Sequence, residues 1–168
     1  MMILKATKAA LKDLNVKPLN LDLSDPFLSW HVNFFNLYGN KHYVFMNDLS
    51  RLSLTVTGIR KNQPEKMKEA FISDLRDYLD IEQVSKMLIH SYLRNCDEIE
   101  ITKTDNRSVL STENEIMKVM KSLERRKIDE FKDPIRRHTW NNRIIYSPID
   151  YQKPLEVFIK ELERRYKK

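Results

Sequence analysis

Ser29-Trp30-His31-Val32-Asn33-Phe34-Phe35-Asn36-Leu37, Tyr38-Gly39-Asn40-Lys41, His42-Tyr43-Val44-Phe45-Met46, Asn47-Asp48-Leu49-Ser50 and Arg51-Leu52-Ser53-Leu54-Thr55-Val56-Thr57 follow one another without interruption. The first, third and fifth segments are rich in aromatic, β-branched and other apolar residues; the second and fourth are turn sequences. On an extended chain Trp30, Val32 and Phe34 share one face, and His31, Asn33 and Phe35 the other. Leu52, Leu54 and Val56 alternate with polar neighbours in the same way. Gly39 supplies the permissive backbone of the first turn. Three strands joined by short turns predict an antiparallel meander, which Gly58 ends.

On the N-terminal side, Met2 to Ala6 reads as a first strand. Thr7 can cap a helix running to about Asn15. Val16 to Pro26 is a connector broken by Pro18 and Pro26. On the C-terminal side, Pro64 suits a helix start, and Met67, Ala70, Phe71, Leu75, Tyr78 and Leu79 recur at helical spacing. Ile81 to Arg94 continues or restarts that helix. Glu98 to Thr102 reads as a strand, and Asp105-Asn106-Arg107-Ser108 as a polar turn. Ser111 or Thr112 with Glu115 forms a capping box for the next helix. Asp133 to Pro148 reads as irregular, and Pro154 opens a last helix with Leu155, Phe158, Ile159 and Leu162 as its apolar stripe. The fold class expected is α+β: an antiparallel β-meander packed by helices, with a basic helical C-terminal region. Residues 1–120 would form the core domain and residues 121–168 an extension packed on it.

Two glycines cannot build G-x-G-x-x-G or a phosphate loop, so those nucleotide motifs are excluded. Cys96, the single cysteine, excludes an intramolecular disulfide and argues against a cysteine zinc site. His31, His42, His90 and His138 show no H-x-x-x-H or H-E-x-x-H spacing, so no metal site and no cofactor are expected. No nucleophile elbow such as G-x-S-x-G occurs. No secretory leader or membrane span is read, and a reducing cytoplasm is the expected compartment. The net charge is +6, unevenly distributed. From Lys118 onward, 15 Lys and Arg face 8 Asp and Glu; before it, 15 face 16. The basicity thus belongs to the last third, which suits nucleic acid or an acidic protein partner.

Phe27-Leu28-Ser29-Trp30-His31-Val32-Asn33, Val44-Phe45-Met46-Asn47-Asp48-Leu49-Ser50-Arg51 and Ile101-Thr102-Lys103-Thr104-Asp105-Asn106-Arg107-Ser108 stand in that order after Met2-Ile3-Leu4-Lys5-Ala6-Thr7-Lys8. Together they resemble a domain-of-unknown-function family of bacteria and mobile elements, over roughly residues 2–120. The resemblance implies a shared fold and brings no activity with it. Its polar positions fall on His31, Asn33, Asn47, Asp48, Arg51, Asp105, Arg107 and Ser108. The turn Tyr38-Gly39-Asn40-Lys41 departs from a more basic family pattern. The tail, with Asn141-Asn142-Arg143, Ser147, Ile149, Tyr151, Pro154 and Glu156-Val157-Phe158, weakly resembles the C-termini of transposase integrases, without the fold that carries their carboxylate triad.

Two candidate sites follow. The polar positions just named could converge at one end of the sheet, where His, Asp and Arg serve phosphate binding or acid–base chemistry. Asn47 and Asp48 equally suit a turn that bonds its own backbone. The basic tail offers Arg125, Arg126, Arg136, Arg137 and Arg143 for phosphates, and Trp140 for stacking on a base. The leading expectation is a non-enzymatic binding or regulatory module contacting nucleic acid or a protein. The alternative is an enzyme or nucleotide-binding domain using the polar cluster.

Overall fold

The computed structural model describes residues 1–22 and 24–168. Strand β1 (Met2–Ala6) leads into helix α1 (Lys8–Leu14). Strands β2 (Ser29–Leu37), β3 (Asn40–Asn47) and β4 (Ser53–Thr57) follow, then α2 (Pro64–Ile81) and α3 (Lys86–Leu93). β5 (Ile99–Lys103), α4 (Arg107–Arg125), α5 (Pro134–Asn141) and α6 (Pro154–Tyr166) complete the chain. The sheet order is β4-β3-β2-β1-β5.

The architecture is α+β, and the meander β2-β3-β4 is present with antiparallel pairing throughout. The sheet as a whole is mixed, which corrects the expectation of a plain antiparallel meander. β1 runs parallel to both of its neighbours, β2 and β5. The β1–α1–β2 segment is a crossover unit, and parallel neighbours need such a connection.

The two faces of the sheet are buried differently. Met2, Leu4, Trp30, Val32, Phe45, Leu54 and Val56 face a core closed by α1, α2, α3 and α6. Phe158 of α6 sits among Phe27, Tyr92 and Trp30, with ring centroids 4.9, 5.1 and 6.0 Å away. The Trp30 indole N–H donates to the Tyr92 hydroxyl at 3.0 Å, which donates to the Phe27 carbonyl at 2.7 Å. Both buried polar handles are thereby satisfied. The opposite face carries Leu37, Val44 and Met46 beneath Val109, Ile116 and Met120 of α4.

Two helix starts differ from expectation. α4 begins at Arg107, because the Asn106 carboxamide accepts from the backbone N–H groups of Ser108 and Val109 at 3.0 and 3.2 Å. Asn is among the strongest N-caps, so the polar run 105–108 is a helix start, and the capping box at Ser111 or Thr112 is not used. The segment expected to be irregular contains α5. Asp133 caps it through the Ile135 N–H at 3.0 Å, and Pro134 occupies the first turn.

α5 closes the sheet's open edge. Asn142, at its end, accepts from the Ser53 N–H at 2.7 Å and donates to the Ser53 carbonyl at 2.9 Å. His138 Nε2 accepts from the Thr55 N–H at 3.0 Å. These side chains stand where a further strand would bond β4. No described helix is long and apolar enough to cross a membrane.

Phe158→Ala should cost about 3–5 kcal/mol, as expected for deleting a fully buried aromatic. Urea unfolding measures it; a loss below about 0.5 kcal/mol, the size of an ordinary surface substitution, would contradict the placement of α6 in the main core.

Candidate functional site

The sequence-nominated polar positions separate into a cluster and bystanders. His31 of β2 and Lys5 of β1 are register partners on one sheet face. Both are buried, and they meet Asp48, which the turn after β3 delivers. His31 Nδ1 lies 2.6 Å from Asp48 Oδ1, and Lys5 Nζ lies 2.9 Å from Asp48 Oδ2. Asp105, at the mouth, is 2.9 Å from the same ammonium. Burial alone would depress the Lys5 pKa; hydrogen bonds to Asp105 and Asp48 outweigh it and hold the value above the ordinary one. Arg51, in a left-handed conformation at φ 63°, donates to the Asp48 carbonyl and, at 3.0 Å, to the Ser108 hydroxyl. The β3–β4 turn is thus tied to the first turn of α4.

The bystanders are structural or remote. The Asn47 amide donates to the Phe27 and Ser29 carbonyls at 2.9 and 3.2 Å, and its oxygen accepts from the Ser50 N–H and hydroxyl. The Asn33 oxygen accepts from the Thr7 hydroxyl at 3.1 Å. Arg107 is exposed at the head of α4. Lys5 and Glu113 were not legible as members of this region.

The cluster's chemistry is largely self-contained. Asp48 fixes the His31 tautomer with its proton on Nδ1. The remaining Nε2 is enclosed, without a partner among the described residues, and 3.8 Å from Asp105 Oδ1, beyond hydrogen-bond reach. In this arrangement the dyad presents no base to a substrate. His31, Asp48 and Asp105 could each offer a ligand atom to a metal ion, all within 4.8 Å of one another. The Lys5 ammonium already stands between the two carboxylates. Asp48 and Asp105 both pair with Lys5, and Arg51 feels the charge of Asp48 while donating to neutral oxygens.

A second constellation is more open. A cleft of about 940 Å³ lies at the β3–β4 edge, between the N-terminal end of α2 and α5. Lys41, His42, Arg60, Lys66, Lys132 and Arg137 line it, and Asp74 is the one carboxylate among its described lining residues. Lys41 is paired with Asp13 at 2.6 Å and Lys132 with Asp129 at 3.2 Å. Arg60 and Lys66 have no ion-pair partner among the described residues. Arg137 is only 2% exposed. Its Nε and Nη2 donate to the Thr55 hydroxyl at 3.0 and 2.8 Å, and its Nη1 to the Phe131 carbonyl at 2.7 Å. No described carboxylate pairs with it, and burial lowers its pKa to about 10.

The basic-tail residues do not form one free face. Arg137 is at the cleft floor, and Arg143 grips Glu82 through two hydrogen bonds of 2.9 and 2.6 Å. Arg125, Arg126 and Arg136 are exposed. Trp140 is 40% exposed and packs edge-on against Phe131, with centroids 5.4 Å apart. No motif in the sequence singles out Lys41, His42, Arg60, Lys66 or Lys132 as site residues. Arg60-Lys61 just before the Pro64 helix start was the available signal, since a helix N-terminus favours anions.

Buried ionisable groups give pH tests. His138 Nε2 accepts from both the N–H and hydroxyl of Thr55, so the ring must be neutral. Burial, then Arg137, lowers its pKa from 6.5 to about 3. Its unfolded form protonates first on acidification, so stability falls as pH drops from 6.5 towards 3. Glu113 behaves oppositely. Its carboxyl is wholly buried without a partner among the described residues, and burial, then Asp48, raises its pKa well above 4.5. The stability of the protonated form is fully present below 4.5 and is lost as pH rises towards the folded value. Glu113→Gln should therefore gain on the parent by up to about 1.4 kcal/mol per pH unit above that point. Urea titrations at pH 5 and pH 7.5 measure the difference; a constant difference between parent and variant would contradict an uncharged Glu113.

No curated protein matches the chain. The family match described as Domain of unknown function (DUF6933) spans residues 3–157. It takes in the polar cluster, the cleft residues and α5, and extends well past residue 120. The stretch that resembles integrase termini falls within it almost entirely. A sheet, both constellations and all of α5 thus lie within one family match, and the chain belongs to the DUF6933 family of domains of unknown function.

Proposed function

We propose that this chain is a non-enzymatic binding module that takes nucleic acid in the cleft between α2 and α5. The observation that carries the reading is Arg137, a buried guanidinium without an acidic partner at the floor of a cation-lined concavity. A buried charge is costly unless compensated, so an anion entering the cleft recovers part of that cost. Arg60 and Lys66, free of ion pairs among the described residues, add charge on one side, and Lys132 adds it on the other. α2 contributes an N-terminus without a side-chain cap, whose dipole has the same sign. Cations from four separate segments suit a ligand bearing several phosphates.

The His31 cluster supports an enzyme less well, because its imidazole is enclosed and its carboxylates are already paired. Bacterial or mobile-element origin agrees with a nucleic-acid role and rests on the motif resemblance alone.

Fluorescence anisotropy with labelled single- and double-stranded DNA and RNA tests the reading. Saturable binding is expected at low salt, weakening with a log–log slope of about −0.7 to −0.9 per neutralised phosphate. Arg60→Glu with Lys66→Glu should weaken it by at least about tenfold, more than Arg125→Glu with Arg126→Glu. No saturable binding at about 10 μM protein, or damage confined to the Arg125 and Arg126 pair, would contradict the cleft assignment.

A further inference from the structure

We propose that the floor of this cleft selects a terminal phosphomonoester of the nucleic acid over an internal phosphodiester. The inference rests on the cleft binding nucleic acid, and adds which phosphate reaches the bottom.

Arg137 is the first element. A guanidinium has five N–H donors. Those on Nε, Nη1 and Nη2 that hold Thr55 and the Phe131 carbonyl fix its plane and leave at least one Nη2 proton uncommitted. The fixed plane is pre-organised for an oxyanion, and its charge has no described acid to satisfy it. At 2% exposure it is out of reach of a backbone phosphate passing over the rim. An internal diester carries chain on both of its ester oxygens, and both would have to descend. An end group brings three unesterified oxygens and chain on one side only.

His42 is the second element. Its side chain is almost fully buried and lines the same cleft as Arg137. Its Nδ1 lies 2.9 Å from the Asn40 carbonyl, which can only accept, so Nδ1 carries the proton. Nε2 is then an acceptor with no described partner. A terminal phosphate, with a second pKa of about 6, can bring the one proton that the Nε2–phosphate contact needs. The monoanion donates its P–OH to Nε2; a dianion makes the same contact only by taking up one proton from solvent, because the buried His42 ring is neutral. A diester has no proton to give. Lys41, Arg60, Lys66 and Lys132 at the walls remain for the diesters that follow the end group.

The test compares oligonucleotides of one sequence ending in a 5′-phosphate, a 3′-phosphate or hydroxyls at both ends, each labelled internally. The full-length protein should bind one phosphorylated form at least about tenfold more tightly than the hydroxyl form, the factor from one hydrogen bond to a charged group. His42→Phe, which keeps a ring beside Phe35 and removes the acceptor, should narrow that ratio; thermal melting confirms that the variant is folded. Arg137→Lys, which keeps the charge and loses the fork, should narrow it as well. Equal dissociation constants for all three ends, with saturable binding, would overturn the selection and leave nucleic-acid binding standing. A ratio unchanged in both folded variants would overturn the assignment to the cleft floor. Failure of every oligonucleotide to bind would remove both readings together.

Discussion

The Thr55 hydroxyl accepts two hydrogen bonds from Arg137 and donates one to His138. This arrangement decides much of what surrounds it. It ties the edge strand β4 to α5, so the sheet ends in side chains instead of open backbone. It requires a neutral His138, which its burial and the adjacent guanidinium already impose. It also holds a cation at the bottom of a cleft with no described acid beside it. A lysine could supply the charge and could not make these directed contacts. Stabilisation of the sheet edge and placement of the candidate ligand group are therefore the same set of hydrogen bonds.

The polar cluster on the other half of that sheet face follows a different logic. There the acids and bases neutralise one another, and Arg51 bridges the β3–β4 turn to α4. The Lys5 ammonium is spent on two carboxylates, while His31 Nε2 and Arg51 Nε are enclosed without a partner among the described residues. Glu113 is the exception nearby, a buried carboxyl kept uncharged at the expense of stability at higher pH. The contrast separates the two constellations: the acids of the cluster are paired within the fold, whereas no described acid pairs with Arg137, and the proposed ligand would compensate it.

The β2-β3-β4 region was legible because alternation and turn chemistry act over a few residues. Trp30, Val32, Leu52, Leu54 and Val56 share the core that their spacing implies. The partners of β1 and β5 were not legible, since five-residue apolar strands do not name their neighbours. α5 was missed although Asp133-Pro134 is a sound cap signal; its short, polar sequence shows little apolar stripe. The convergence of His31, Asp48, Arg51, Asp105 and Ser108 followed from motifs carried by neighbouring strands and the turns at their ends. Lys5 was hidden in an apolar strand. The cleft was hidden more deeply. The charge excess after Lys118 pointed to a surface on the tail, yet Lys41, Arg60 and Lys66 come from the part of the chain with no basic excess. Charge counted along the chain does not report charge gathered in space.

Arginine side-chain nitrogen NMR reports directly on whether a phosphate reaches Arg137. The Nε–H resonance of Arg137 is followed during titration with a 5′- or 3′-phosphorylated oligonucleotide. Binding at the cleft floor should shift this resonance saturably, together with the imidazole nitrogens of His42, while Arg125 and Arg126 change little. Saturable shifts confined to Arg125, Arg126 and Arg136, with Arg137 and His42 unmoved, would contradict it.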